Sequence, residues 1–297
     1  MDWRGRRGSR NIEDRRRTGG GGPRISLGGG RRSARAGGIG GAGAVVVLLL
    51  ALFFGVDPGQ LLGPGGLDGT STRVAPTELT EADRQEGEFV SVVLADTEEI
   101  WAGVFREQLG ETYRPATLVL FKDGTRSPCG GASEATGPFY CPADRKVYLD
   151  TAFFTTLHRQ LGAGGDFAAA YVVAHEIGHH IQNELGILTE ANRIRQQVSQ
   201  AESNAISVRI ELQADCLSGI WARGTQDMLG VVEPGDLEEA VTAARQIGDD
   251  TLQRNAGRRP MPHTFTHGTS EQRSRWFMTG LRSGQLADCD TFATDRL

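Results

Sequence analysis

The chain of 297 residues has four cysteines but no CxxC pair, which speaks against a zinc site built from cysteine thiolates. It has no internal repeat, and so no sign of a solenoid or propeller. Its larger part has no basic excess. Residues 36–297 carry 21 basic and 34 acidic side chains, a balance of −13, which argues against a nucleic-acid-binding domain. Residues 1–35 are the reverse. There, eleven Arg stand against Asp2, Glu13 and Asp14, a balance of +8 that the net charge of −5 conceals. Apolar residues are few in this segment, so composition predicts a disordered Arg/Gly-rich tail.

Charge of either sign is missing from residues 36–56, built around AVVVLLLALFF. At 1.5 Å per residue such a helix just spans a hydrocarbon core of roughly 30 Å. No small-x-small cleavage site follows it, so the segment reads as a retained transmembrane helix rather than a signal peptide. Arg31, Arg32 and Arg35 precede it and Asp57 follows, which predicts a cytoplasmic N-terminus and an extracytoplasmic C-terminal domain. The expectation is a single-pass protein of the cell membrane, with the basic tail free to meet anionic lipid. Gly, Pro and Thr without periodicity predict a flexible linker over 57–81, leaving 82–297 as the folded domain. In an oxidising compartment the four cysteines would pair as Cys129–Cys141 and Cys216–Cys289, the alternative being free buried thiols.

The stretch that carries chemistry is 165–186, GDFAAAYVVAHEIGHHIQNELG. Asp166 reads as the N-cap and Gly186 as the stop, and apolar residues recur between them at helical spacing. On this helix His175, Glu176 and His179 form an HExxH pattern. Residues four apart share a helical face, so the two imidazoles can meet one ion, and two neutral nitrogen donors suit Zn²⁺. Glu176 stands where it can take the proton of a water made acidic by that ion. His180 points roughly 100° away from His179 and reads as a non-ligand.

A catalytic zinc needs a third protein ligand. Position 185, where one class places a histidine, is Leu185. The helical pattern over 202–223 instead offers Glu211, with Asp215 one turn on. Glu211 can be the third ligand while Asp215 accepts a hydrogen bond from a ligand histidine; the reverse assignment remains open. His267 could reach the cleft and steady an oxyanion, or hold the turn that opens the last helix at Thr269-x-x-Gln272. Arg273 is equally a salt-bridge residue or a site residue. Residues 116–121, 146–149 and the run Pro138–Cys141 read as strands, one of which could pair with an extended substrate. Residues 98–108 read as an amphipathic helix carrying Trp101 and Phe105.

Several of these runs carry a resemblance. WRGRRGSRNIEDRRR, CGGASEATGPFYCPADRKVYLD, GAGGDFAAAYVVAHEIGHHIQ, ELQADCLSGIWA, IGDDTLQ and FTHGTSEQRSRWFMTGL resemble the neutral zinc metallopeptidase family, membrane-anchored bacterial zincins of the glutamate-ligand type. The resemblance implies an α+β zincin-like fold, mainly helical with a small sheet, one Zn²⁺ and a peptidase acting on peptides or proteins. A membrane-anchored zinc peptidase is therefore the expectation, with a non-catalytic zinc-fold binding or scaffold module as the alternative. The acidic body mildly predicts a preference for basic or neutral peptides.

Overall fold

The structure is a computed structural model that describes residues 1–17, 78–132, 136–159 and 162–297. Helices dominate it, with two small sheets. Helix α1 (Glu81–Val104) begins in a capping box between Thr80 and Asp83 and buries Phe89, Val93, Ile100 and Trp101. It continues through one π-helical turn, Phe105–Leu109, and stops at Gly110 with φ 69°.

The main sheet has the order β1-β2-β6-β5. Strands β1 (Ile12–Asp14), β2 (Thr117–Phe121) and β6 (Lys146–Asp150) run parallel, whereas β5 (Phe139–Cys141) lies antiparallel to β6 at one edge. The period of two sorts the side chains. Leu118, Leu120, Val147 and Leu149 enter the main core, while Val119, Phe121, Tyr148 and Cys141 form a second cluster on the opposite face. Beside it lies the hairpin of β3 (Thr125–Ser127) and β4 (Gly130–Ala132), which the Cys129–Cys141 disulfide ties to β5.

After the short α2 (Ala152–Arg159), α3 (Asp166–Glu184) runs through the middle of the molecule. It packs against α5 (Gln200–Gly224), α6 (Asp236–Gln246), α1 and the β5–β6 pair, and is buried on almost every face. Its cap differs from the expected one. Gly165 takes the cap position with φ 108°, and the free Phe167 N–H is met by a Glu239 carboxylate oxygen of α6 at 3.1 Å. Helix α4 (Ile187–Arg195) leads from α3 to α5, and α5 opens in a Ser199–Glu202 capping box. Helix α7 (Asp249–Asn255) and a loop then lead to α8 (Ser270–Ser283), which starts at the expected Thr269–Gln272 capping box.

Helices α5 and α8 meet at glycines. A Cβ on Gly219 would stand 2.0 Å from the Phe277 carbonyl oxygen, and one on Gly280 would stand 1.8 Å from that of Cys216. Next to this contact the Cys216–Cys289 disulfide fastens the C-terminal segment to α5. Both cysteine pairs are thus those the sequence suggested.

Two expectations need correction. The first is the disordered tail, which does not hold for residues 1–17. Met1 and Trp3 are buried, and Trp3 meets Phe89 edge to face at 5.4 Å. The Met1 ammonium lies 2.6 Å from Asp166 and 3.2 Å from Asp236, Arg6 forms a two-pronged pair with Asp96, and Arg16 donates to the Asp83 carbonyl. Strand β1 then pairs with β2, through Leu118 N–H to the Asn11 carbonyl (2.8 Å) and Arg15 N–H to that of Leu120 (2.7 Å). The arginines misled because composition registers charge but not the acidic partners waiting on α1 and the sheet.

The second is the single-pass membrane location. Among the described residues no helix is long and apolar enough to cross a membrane. The expected span, 36–56, lies outside the described residues. A single crossing between β1 and β2 would also put two hydrogen-bonded strands of one sheet on opposite sides of a bilayer, so a cytoplasmic N-terminus with an extracytoplasmic domain is incompatible with this sheet.

Candidate metal centre

Helix α3 crosses α5 so closely that Gly178 faces the Ala214 backbone, where an added Cβ would be 3.0 Å from the carbonyl oxygen. This approach brings the two motifs together. Ligand atoms of His175, His179 and Glu211 all lie within 4.8 Å of one another. His175 Nε2 is 3.1 Å from Glu211 Oε2, and His179 Nε2 is 3.6 Å from Glu211 Oε1. Donors about 2.1 Å from a tetrahedral zinc stand about 3.4 Å apart, so the spacing and the two-nitrogen, one-carboxylate chemistry fit that ion.

Each ring is held by its other nitrogen. His175 Nδ1 donates to Asp215 Oδ1 at 3.0 Å. The same oxygen accepts from Tyr171 Oη (2.5 Å) and from Arg273 Nη2 (2.9 Å), all three groups being buried. Asp215 therefore orients the ring rather than joining the cluster. His179 Nδ1 donates to Gln182 Oε1 at 2.9 Å. The amide of Gln182 is itself oriented, since its NH₂ group donates to the Ile210 carbonyl and to Gln213 Oε1. Both histidines thus present Nε2 to one point. His180 turns away to the sheet: its Nε2 donates to the Arg114 carbonyl at 2.7 Å, and its Nδ1 accepts from Tyr140 Oη at 3.2 Å. Burial, the leading influence, pushes its pKa down, which matches this neutral arrangement.

The carboxylates differ in environment. Burial raises the Glu176 pKa, against the lowering pull of His179 and His175. Burial acts in the same sense on Glu211, but His179, His175 and His267 outweigh it and hold Glu211 well below the usual carboxylate range. Two adjacent carboxyl groups are thus pushed apart, one towards carrying a proton and one towards remaining an anion.

His267 reaches this cluster from the loop before α8. Gly268 packs against Leu212 and Val208 of α5, and the His267 ring is close enough to Glu211 for their charges to interact. Asp249 holds the loop. One of its oxygens accepts the backbone N–H groups of Thr266, His267 and Gly268, and the other lies 3.2 Å from His267 Nδ1, leaving Nε2 unengaged by these contacts. Burial lowers the His267 pKa, but Asp249 more than offsets it and the net direction is up.

Sequence reasoning missed Gln182, Asp249 and Tyr171. Gln182 stands one turn beyond His179, a spacing that could have suggested it. Asp249 and Tyr171 carry no local signal, because their partners lie 18 and 44 residues away. Arg273 resolves as the partner of Asp215. A second acidic group, Asp166, Asp236 and Glu239, lies close enough for an ion, but the Met1 ammonium already sits against two of its members.

Two histidines and a carboxylate grouped as candidate metal ligands in an α+β fold point to a class, and the family comparison agrees with it. The chain belongs to the family described as "Putative neutral zinc metallopeptidase", whose profile matches residues 1–292. Among its relatives is "Uncharacterized protein YpfJ" of Escherichia coli (strain K12), 45% identical over 294 residues, 98% of this chain and 99% of that one. Another is "Uncharacterized protein Rv2575" of Mycobacterium tuberculosis (strain ATCC 25618 / H37Rv), 41% identical over 256 residues, 82% of this chain and 85% of that one. No solved structure matches the chain.

Proposed function

We propose that the protein is a zinc-dependent peptidase holding one catalytic Zn²⁺ on His175, His179 and Glu211. The observation that carries this reading is the convergence of both Nε2 atoms on Glu211 while both Nδ1 atoms are engaged elsewhere. Bound zinc supplies the Lewis-acid charge that makes a water acidic and polarises the scissile carbonyl. Glu176, buried and raised in pKa, accepts the proton of the attacking water and then delivers it to the leaving amine. His267, its Nδ1 tied to Asp249, offers Nε2–H to the oxyanion that develops on the substrate carbonyl. The β5 strand pairs only with β6 among the described residues, and its other edge is where an extended peptide would add as a further strand.

Metal content and peptide hydrolysis are best measured on the full chain, because β1 belongs to the fold. Glu176→Gln should keep one zinc and lose cleavage by about 10²–10⁴-fold. His267→Ala should keep zinc and lower kcat by about 10²-fold. Glu211→Ala should lose zinc. Stoichiometric zinc in a folded Glu211→Ala protein would overturn this ligand set and bring Asp215 forward.

A further inference from the structure

One wall of the cluster carries a cation that the reaction described above does not use. Ser203, Ser207 and Glu211 follow one another at four-residue spacing along α5, all half-exposed, and so form a polar stripe leading away from the metal ligands. At its far end lies Arg195, the last residue of α4. Its Nε donates to Ser203 Oγ at 3.2 Å and its Nη1 to Asn192 Oδ1 at 3.3 Å.

Both acceptors are neutral, and Arg195 makes no ion pair among the described residues. The carboxylates closest to it in sequence are already engaged: Glu190 with Arg193, and Glu202 with the Ser199 cap. Arginines on and against α5 are engaged as well. Arg273 is committed to Asp215 and Tyr171, and Arg209 to the carbonyls of Thr291 and Thr294. A guanidinium has five N–H donors, and these contacts use two. Arg195 is half-buried, and its charge is felt at Glu211, the one group that raises its pKa against the lowering effect of burial. A partly desolvated guanidinium with donors to spare, at the far end of the stripe from the candidate ligands, suits a bidentate carboxylate.

We propose that Arg195 binds a carboxylate of the peptide substrate three to four residues from the bond that is cut. The offset follows from the stripe. Eight helical residues separate Ser203 from Glu211, about 12 Å, and an extended peptide advances about 3.3 Å per residue. The carboxylate is an Asp or Glu side chain or the C-terminus of the peptide. This inference rests on the peptidase reading and makes it more specific: despite the acidic body, the preferred peptide carries a negative charge at one position.

The test is a neutral octapeptide in which a single Glu is moved through every position, each version made as C-terminal acid and as amide. It is assayed for hydrolysis by the zinc-loaded full chain and for binding to its Glu176→Gln variant. A Glu three or four residues from the cleavage point should raise kcat/KM about tenfold, through KM. If the C-terminus is the ligand instead, acid should exceed amide by a similar factor. Arg195→Gln should abolish the preference, and Arg195→Lys should keep part of it. Hydrolysis that ignores both Glu position and C-terminal charge would overturn the role of Arg195 and leave the peptidase reading standing. Charge-dependent binding to Glu176→Gln that needs Arg195, without hydrolysis by the wild type, would support the site and overturn the peptidase reading. The absence of charge-dependent binding would overturn the site even if no peptide were cut.

Discussion

Two carboxylates favour the protonated form of His175, the form that cannot bind the proposed zinc. In the metal-free protein burial disfavours a charged His175, yet Asp215 and Glu211 outweigh it and raise its pKa to about 9. A raised pKa favours the fold below the ordinary value near 6.5, and that contribution is lost as pH rises through about 9. Zinc needs Nε2 free of its proton. Zinc affinity should therefore climb with pH up to about 9 and level off above it, as read by competition with a chelator between pH 6 and 10. A flat profile across that range would contradict the Asp215–His175–Glu211 arrangement. At this scale the grouping of His175, His179 and Glu211 was legible in the sequence, because HExxH and Glu211-x-x-x-Asp215 state their geometry through helical spacing alone. Gln182 and Asp249 were not, because each acts through a side-chain or backbone contact that only the folded chain creates.

At the scale of elements, the capping boxes and the helix crossings divide the work. Thr269→Ala removes the acceptor for the Gln272 N–H and should cost about 1 kcal/mol in chemical denaturation. Gly280→Ala should cost more, about 3 kcal/mol, because the new methyl group meets the rigid carbonyl of Cys216 and the helices must separate. If Thr269→Ala proved the more damaging of the two, the close α5–α8 contact would not be what holds this half together. Helices α3 and α5 were readable from apolar spacing, α1 only over its last two turns, and the last helix from its capping box. The β2 and β6 strands were readable from short apolar runs. Strand β1 was not: Ile12-Glu13-Asp14 has neither length nor alternation, and its strand character comes from β2 alone.

For the molecule as a whole, the first 17 residues decide more than their composition suggests. Removing them exposes Phe89 and the β2 edge, and deletes the buried Met1, Trp3 and Arg16. Loss of burial at Met1 and Trp3 alone is worth about 3–6 kcal/mol. A chain starting at residue 18 should melt well below the full chain, by calorimetry. An unchanged Tm would mean that residues 1–17 dock without contributing to stability.

The pairing of β1 with β2 also orders events in time. Strand β1 leaves the ribosome first, yet Leu118–Leu120, its partner, follows about a hundred residues later. At roughly 5–20 residues per second it waits at least several seconds before a template exists. Closing so long a connection brings little reward until β2 and β6 have paired, so β1 should dock late, after the folding barrier. Ile12→Val should then speed unfolding and leave the refolding rate nearly unchanged in stopped-flow measurements. Residues 12–14 are made long before their partner strand and should dock after it.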